Sequence, residues 1–253
     1  MTLSKRADYS TAITQKNKIT TIEKAKQKVN IACDLLQKTG MFRDVSFYRP
    51  DSKKLYIGNA PAIYVDTPKG RKLVIAPDLR CSLLDETYMW VEVKDKPQRF
   101  FYPDTGCDAH QYVGFWSVNK YKREPVLMLF TDPPLEEMIG LKGLSQDVRE
   151  SFIRRWKRFA PDDMPVFYGN WIKILAEFDG KSKYPKCFHE RSRDKPMKII
   201  YMDIEKMMPF SKIESLRAFI ENRTKARDIG EFAVFDVSSK SIIRDPEDLL
   251  QDC

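Results

Sequence analysis

The stretch Arg71–Lys96, RKLVIAPDLRCSLLDETYMWVEVKDK, constrains this chain more than any other, because two short apolar runs in it each deliver acidic residues. The first run, Lys72 to Ala76, ends in Pro77-Asp78, and the second, Tyr88 to Val93, carries Glu92-Val93-Lys94. Short apolar runs bounded by turn signals predict β-strands. Side chains alternate along a strand, so Glu92 and Lys94 share one face while Val91 and Val93 take the other. If the two strands pair across the polar break between them, Asp78 meets Glu92 and Lys94 at one edge of a sheet. Charges set into apolar strand sequence are costly to bury unless they bind something.

At 253 residues the chain is long enough for one large domain or two small ones with a sizeable core. An apolar content of 42% with 32% charged residues describes a soluble globular protein, and no apolar run reaches the length of a membrane span. The N-terminal MTLSKRADYSTAITQKNK has no apolar segment of the kind a secretory signal carries, which predicts an intracellular protein, in cytoplasm, nucleoid or nucleus. Five cysteines without CxxC spacing suit reduced thiols. A net charge of +8 favours a polyanionic partner. Only two histidines, His110 and His189, are present, which nearly excludes mechanisms built on several histidine ligands. No phosphate-binding glycine loop, dinucleotide fingerprint or GxSxG elbow occurs, so nucleotide hydrolysis and serine-esterase chemistry find no support.

Taken in order, residues 1–18 read as a polar arm or short helix, and helical spacing begins at Thr20, with Ile22, Ala25, Val29, Ala32, Cys33 and Leu36 on one face. Thr20 with Glu23 fits a capping box and Gly40 the residue past the helix end. Strands are expected at 45–48, 54–57, 62–65 and 72–76, then a loop through Gly106 to Asp108 as an N-cap. A helix carrying Tyr112, Phe115, Trp116 and Asn119 follows, then a buried strand Val126 to Phe130. The second half predicts a basic helix from Ser145 to Phe159, a strand from Trp171 to Phe178, a cationic loop from Lys181 to Lys195 and a strand from Met197 to Ile204. A helix capped by Ser211 and Glu214 and a strand from Phe232 to Val237 complete it.

This order, with Pro77-Asp78 followed by Glu92-Val93-Lys94, resembles the PD-(D/E)XK nuclease superfamily over roughly the first half of the chain. The resemblance implies an α/β, restriction-endonuclease-like fold, a mixed β-sheet flanked by helices, with a nuclease core to residue 134 and a C-terminal α/β elaboration over 135–253. It further implies that Asp78, Glu92 and the Val93 carbonyl bind Mg²⁺, for which Mn²⁺ can substitute, and that Lys94 orients or activates water. Gln111 opens the following helix, where several families of the superfamily place a glutamine, and Glu23 on the first helix is a further candidate ligand. By the same resemblance the enzyme is a metal-dependent deoxyribonuclease, restriction-type as a homodimer or structure-specific.

The chemistry suits those residue types independently of the family. Mg²⁺ takes hard oxygen ligands and keeps several waters, so two carboxylates suffice once a phosphate joins its shell. The motif is short: Pro-Asp occurs four times, so position has to decide which one matters. A second formal match, Pro161-Asp162 with Asp179-Gly180-Lys181, fails on context, since Asp179-Gly180 is turn chemistry and carries Lys181 out of any strand. Cys107-x2-His110 with Cys187-x-His189 gives a poorly spaced alternative zinc set. Two cationic segments are candidates for tracking a phosphate backbone: Arg149, Arg154, Arg155 and Arg158 on the basic helix, and Lys181, Lys183, Lys186, Arg191 and Arg193 after it. The rival readings are a non-catalytic nucleic-acid-binding or interaction protein on the same fold, and an RNA-cleaving enzyme on the same scaffold.

Overall fold

The computed structural model describes residues 15–132, 135–136, 144–159, 167–178, 183–191, 196–210, 212–227 and 232–250. It is a mixed α/β structure built on three sheets. Helix α1 (Gln15–Lys38) leads into β1 (Phe42–Phe47), then a three-stranded antiparallel layer of β2 (Tyr56–Ile57), β3 (Ala60–Thr67) and β4 (Gly70–Ile75). Next come β5 (Leu79–Leu83), β6 (Tyr88–Lys94), β7 (Asp104–Asp108), helix α2 (Ala109–Lys122) and β8 (Val126–Thr131). The remaining elements are α3 (Gln146–Phe159), β9 (Phe167–Trp171), α4 (Ile172–Ala176), β10 (Lys186–Arg191), β11 (Pro196–Asp203), β12 (Met208–Pro209), α5 (Ile213–Glu221), β13 (Val234–Asp236) and β14 (Ser241–Ile243).

The main sheet has the order β1-β5-β6-β8-β9-β12. β5 runs antiparallel to both of its neighbours, β1 and β6, and β8 joins β6 in parallel after the α2 crossover, as a parallel pair requires. One face carries Leu79, Cys81, Leu83, Val91 and Val93 against Val29, Ala32 and Leu36 of α1 and Leu216 and Ile220 of α5. The other face carries Trp90, Met128 and Phe130 against α2. The second large sheet, β14-β13-β10-β11-β7, lies with β3 and β4 on the far side of α2. α2 is thus enclosed on all sides, with Tyr112 through Asn119 buried, which is why it shows no amphipathic pattern. Gly114 permits this: a Cβ there would stand 2.7 Å from the Ile75 carbonyl oxygen of β4.

Residue 134 marks no boundary in this architecture. β9 and β12 extend the main sheet from the C-terminal half, and β7 joins the second sheet from the N-terminal half. Among the described residues no helix is long and apolar enough to cross a membrane.

Several expectations need correction. The stretch after Asp78 is a strand, not a polar break: Leu79, Cys81 and Leu83 alternate inward while Arg80 and Ser82 point away. It is this β5, and not the 72–76 run, that pairs with β6; β4 pairs with β3 instead. α1 begins at Gln15, so Thr20 lies inside the helix and does not cap it, whereas Gly40 takes φ +71° just past its end. Residues 104–108 form β7 and not a loop. Residues 172–176 are helical because Ile172, Leu175 and Ala176 bury at i, i+3, i+4 spacing. Residues 186–191, expected as loop, form β10. The Ser211 cap lies outside the described residues, and α5 has Lys212 at its N-cap. The basic helix forms as expected, with Phe152, Trp156 and Phe159 buried. Phe159 stacks on Tyr168 at 4.6 Å, and burying each such ring is worth about 1.5–3 kcal/mol.

Candidate active site

Asp78 sits where the chain leaves the β3–β4 layer and enters β5, and its backbone is fixed on both sides. Its carbonyl accepts the Tyr48 N–H at 2.9 Å, and its own N–H donates to Glu92 Oε2 at 3.1 Å. Asp78 Oδ2 accepts the Val93 N–H at 3.0 Å, while Oδ1 has no hydrogen-bond partner among the described residues. In an extended strand the N–H and C=O of one residue point to the same edge, so the Val93 carbonyl also faces the Asp78 side, two residues beyond the last β5–β6 pair, Leu79 with Val91.

Glu92 projects from the α2 face of β6 and is only 3% exposed. Its Oε1 forms an ion pair with Lys94 Nζ, which also donates to Gln111 Oε1 at 2.7 Å and lies 5.7 Å from the Phe115 ring centre. Asp78, Glu92, Lys94 and Gln111 are therefore one connected group, supplied by the β4–β5 junction, β6 and the first turn of α2. Gln111, whose reach was undecided from sequence, is the side chain that fixes the lysine.

Burial and then the neighbouring Asp78 push the Glu92 carboxyl up to about 8, against the pull of Lys94. Asp78 is raised as well, chiefly by burial. Burial favours the neutral form of Lys94, but the Glu92 carboxylate outweighs it and holds the ammonium charged. Two acids and one cation would carry a surplus of negative charge if both acids were ionised, and the proton held on Glu92 near neutral pH relieves it. The donors are hard oxygens, and a free carboxylate oxygen and a strand carbonyl stand beside them, which fits Mg²⁺ better than a softer metal. No group of three His, Cys, Asp or Glu side chains gathers among the described residues, so the alternative cysteine–histidine zinc set does not assemble. Cys107 is buried, His110 exposed.

The other site candidates lie apart from this group. Glu23 is exposed on α1 and makes no ion pair or hydrogen bond with Asp78, Glu92 or Lys94. Arg155 is turned inward, donating through Nη2 to the Arg99 and Phe100 carbonyls at 2.8 Å each, and Arg158 pairs with Glu205. Lys186 is half-buried, 3.2 Å from Asp104. Arg154 and Lys183 are exposed. Arg149 lies on α3 and Arg191 ends β10. Lys181 and Arg193 lie outside the described residues, as does the rival match at Asp162 and Asp179. Two contributors went unread in the sequence: Tyr48, whose backbone holds Asp78, and Arg80, stacked over Tyr88 at 4.4 Å.

No protein-family model, no curated protein and no solved structure matches this chain.

Proposed function

We propose that the protein is a Mg²⁺-dependent nuclease of the PD-(D/E)XK type that hydrolyses phosphodiester bonds in DNA. The observation that carries this reading is the convergence of Asp78, Glu92 and Lys94 where β5 begins and β6 ends, with Glu92 buried beside a second carboxylate. The antiparallel triple β1-β5-β6, extended in parallel by β8 through α2 and flanked by α1, supports a restriction-endonuclease-like core.

Asp78 and Glu92 would hold the metal, with the Val93 carbonyl as a backbone ligand. Bound between them, Mg²⁺, or Mn²⁺ in its place, would supply Lewis-acid polarisation of the phosphoryl group and of water. Lys94 keeps its proton beside the reacting phosphate, where it orients water and stabilises the negative charge that grows on the phosphoryl oxygens. Gln111 removes the lysine's freedom to swing, so the ammonium is positioned before substrate arrives. The acids gain as well: a bound cation offsets the repulsion that raises both carboxyls.

The test is a cleavage assay on plasmid, linear duplex, single-stranded DNA and RNA with Mg²⁺, Mn²⁺ or EDTA, alongside light scattering for the proposed homodimer. Wild type should cut in metal and not in EDTA, and Asp78→Ala and Lys94→Ala should each lower the rate by about 10²–10³-fold or more while binding survives. Undiminished cleavage by Asp78→Ala would overturn the assignment, and cleavage confined to RNA would change the substrate.

A further inference from the structure

A cleft of about 250 Å³ opens on the same side of the main sheet as Glu92, between that sheet, the β2–β4 layer and the end of α2. Its floor is Trp90, two residues before Glu92 on the same face of β6, hence about 7 Å along the strand. Tyr48, the residue that fixes Asp78, meets Trp90 edge-on at 5.0 Å and an interplanar angle of 75°. Trp90 Nε1 donates to Glu124 Oε2 at 2.5 Å, so the indole is held in place and the acid at the cleft is already engaged. On the rim Tyr64 is 43% exposed. Arg80 reaches 5.9 Å from the Trp90 ring centre, and neither Arg80 nor Lys122 has a carboxylate partner among the described residues.

We infer that this cleft seats one nucleotide of single-stranded DNA, its base against the exposed Tyr64 ring and its phosphate on Arg80 and Lys122. The inference deepens the nuclease reading, on which it rests for the choice of polyanion. The chemistry selects the ligand from three sides. Aromatic rings beside unpaired cations match a base joined to a phosphate, the pairing by which single strands are held. A cleft of about 250 Å³ has room for one ring system. A duplex keeps its base faces stacked on one another, whereas a single strand offers them to protein rings. The seat lies close enough to Asp78 and Glu92 to hold a strand whose neighbouring phosphodiester reaches the carboxylates.

The test is fluorescence anisotropy in EDTA, which stops cleavage, with labelled oligo-dT and a duplex of equal length. The proteins are wild type, Tyr64→Ala and Arg80→Ala, both surface changes whose fold is checked by thermal melting. Wild type should bind oligo-dT; Tyr64→Ala should weaken it roughly 5-fold or more, the lower end of one base–ring stack. Arg80→Ala should also weaken it and reduce the slope of log K against log salt by about 0.7. Duplex binding should change little in either. Unchanged oligo-dT affinity in both variants, or an equal loss for duplex, would overturn the inference. The nuclease reading fails separately: a wild type that binds oligo-dT through this cleft but cuts no substrate leaves the cleft standing and removes the enzyme. Metal-dependent cutting by cleft variants that bind like wild type does the reverse.

Discussion

Two buried carboxylate clusters on either side of the Lys94–Asp104 loop are composed oppositely. At the start of β7 the fully buried Asp104 receives Arg99 Nε on Oδ1 and Nη2 on Oδ2, each at 2.5 Å, and on Oδ2 also the Tyr184 hydroxyl at 2.7 Å and Lys186 Nζ at 3.2 Å. One acid therefore meets two cations, and every oxygen is occupied. At the other end of the loop two acids, Asp78 and Glu92, share the cation of Lys94, and one Asp78 oxygen has no hydrogen-bond partner among the described residues. The first cluster is complete as it stands and ties β7 to β10. The second is short of positive charge once both acids ionise, so a bound cation can take the place of the proton that Glu92 otherwise holds.

The largest consequence concerns stability. Asp104→Ala leaves the half-buried Arg99 and Lys186 without their acid and should cost up to about 3–5 kcal/mol in urea denaturation. Glu92→Gln removes part of a repulsive pair and should leave metal-free stability unchanged or higher, while ending cleavage. A loss with Glu92→Gln as large as that with Asp104→Ala would erase the distinction between the clusters.

A smaller effect separates them by pH and metal. The folded-state carboxyl of Glu92 stands at about 8 against an ordinary 4.5, so between those values the folded protein holds a proton that the unfolded chain has released. Metal-free stability should therefore fall as pH rises through that window, by up to ~1.4 kcal/mol per pH unit, and Glu92→Gln should flatten the slope. Mg²⁺ at a hundred times its Kd should add about 2.7 kcal/mol to wild type near neutral pH and nothing to Asp78→Ala. Equal stabilisation of both proteins would place the metal elsewhere.

The meeting of Asp78, Glu92 and Lys94 in one candidate site was more legible than the fold that carries it. Glu92 and Lys94 declared a common face because the period of two is unambiguous in YMWVEVK, and β6 forms as read. Asp78 was found for a partly mistaken reason: it begins a strand and does not end one. Arg80 and Ser82 broke the apolar run of β5, and only the alternation of Leu79, Cys81 and Leu83 betrays it. β7 and β10 were lost for a related cause. The strand DTGCD has few apolar residues, and KCFHER looks cationic, because Asp104 and Lys186 satisfy each other in the interior where neither residue type is expected. Nothing local announces such a pair, since the two residues are 82 positions apart and meet only through β11 (186 − 104).

The same contrast between engaged and surplus charge divides the basic helix, and gives the smallest effects. Arg155 and Arg154 are neighbours in sequence, yet one is tied to the Arg99 and Phe100 carbonyls beside the Asp104 cluster and the other is exposed. Arg155→Ala should cost about 1.5–3 kcal/mol of stability through the lost charged hydrogen bonds. Arg154→Ala should change stability by no more than about 0.5 kcal/mol, but should weaken DNA binding about equally across sequences and lower the salt slope by about 1. Melting curves and salt titrations of the two variants therefore have to move in opposite readouts. If Arg154→Ala leaves the salt dependence untouched, the exposed side of α3 is only a solvated face, and the polyanion is gripped elsewhere.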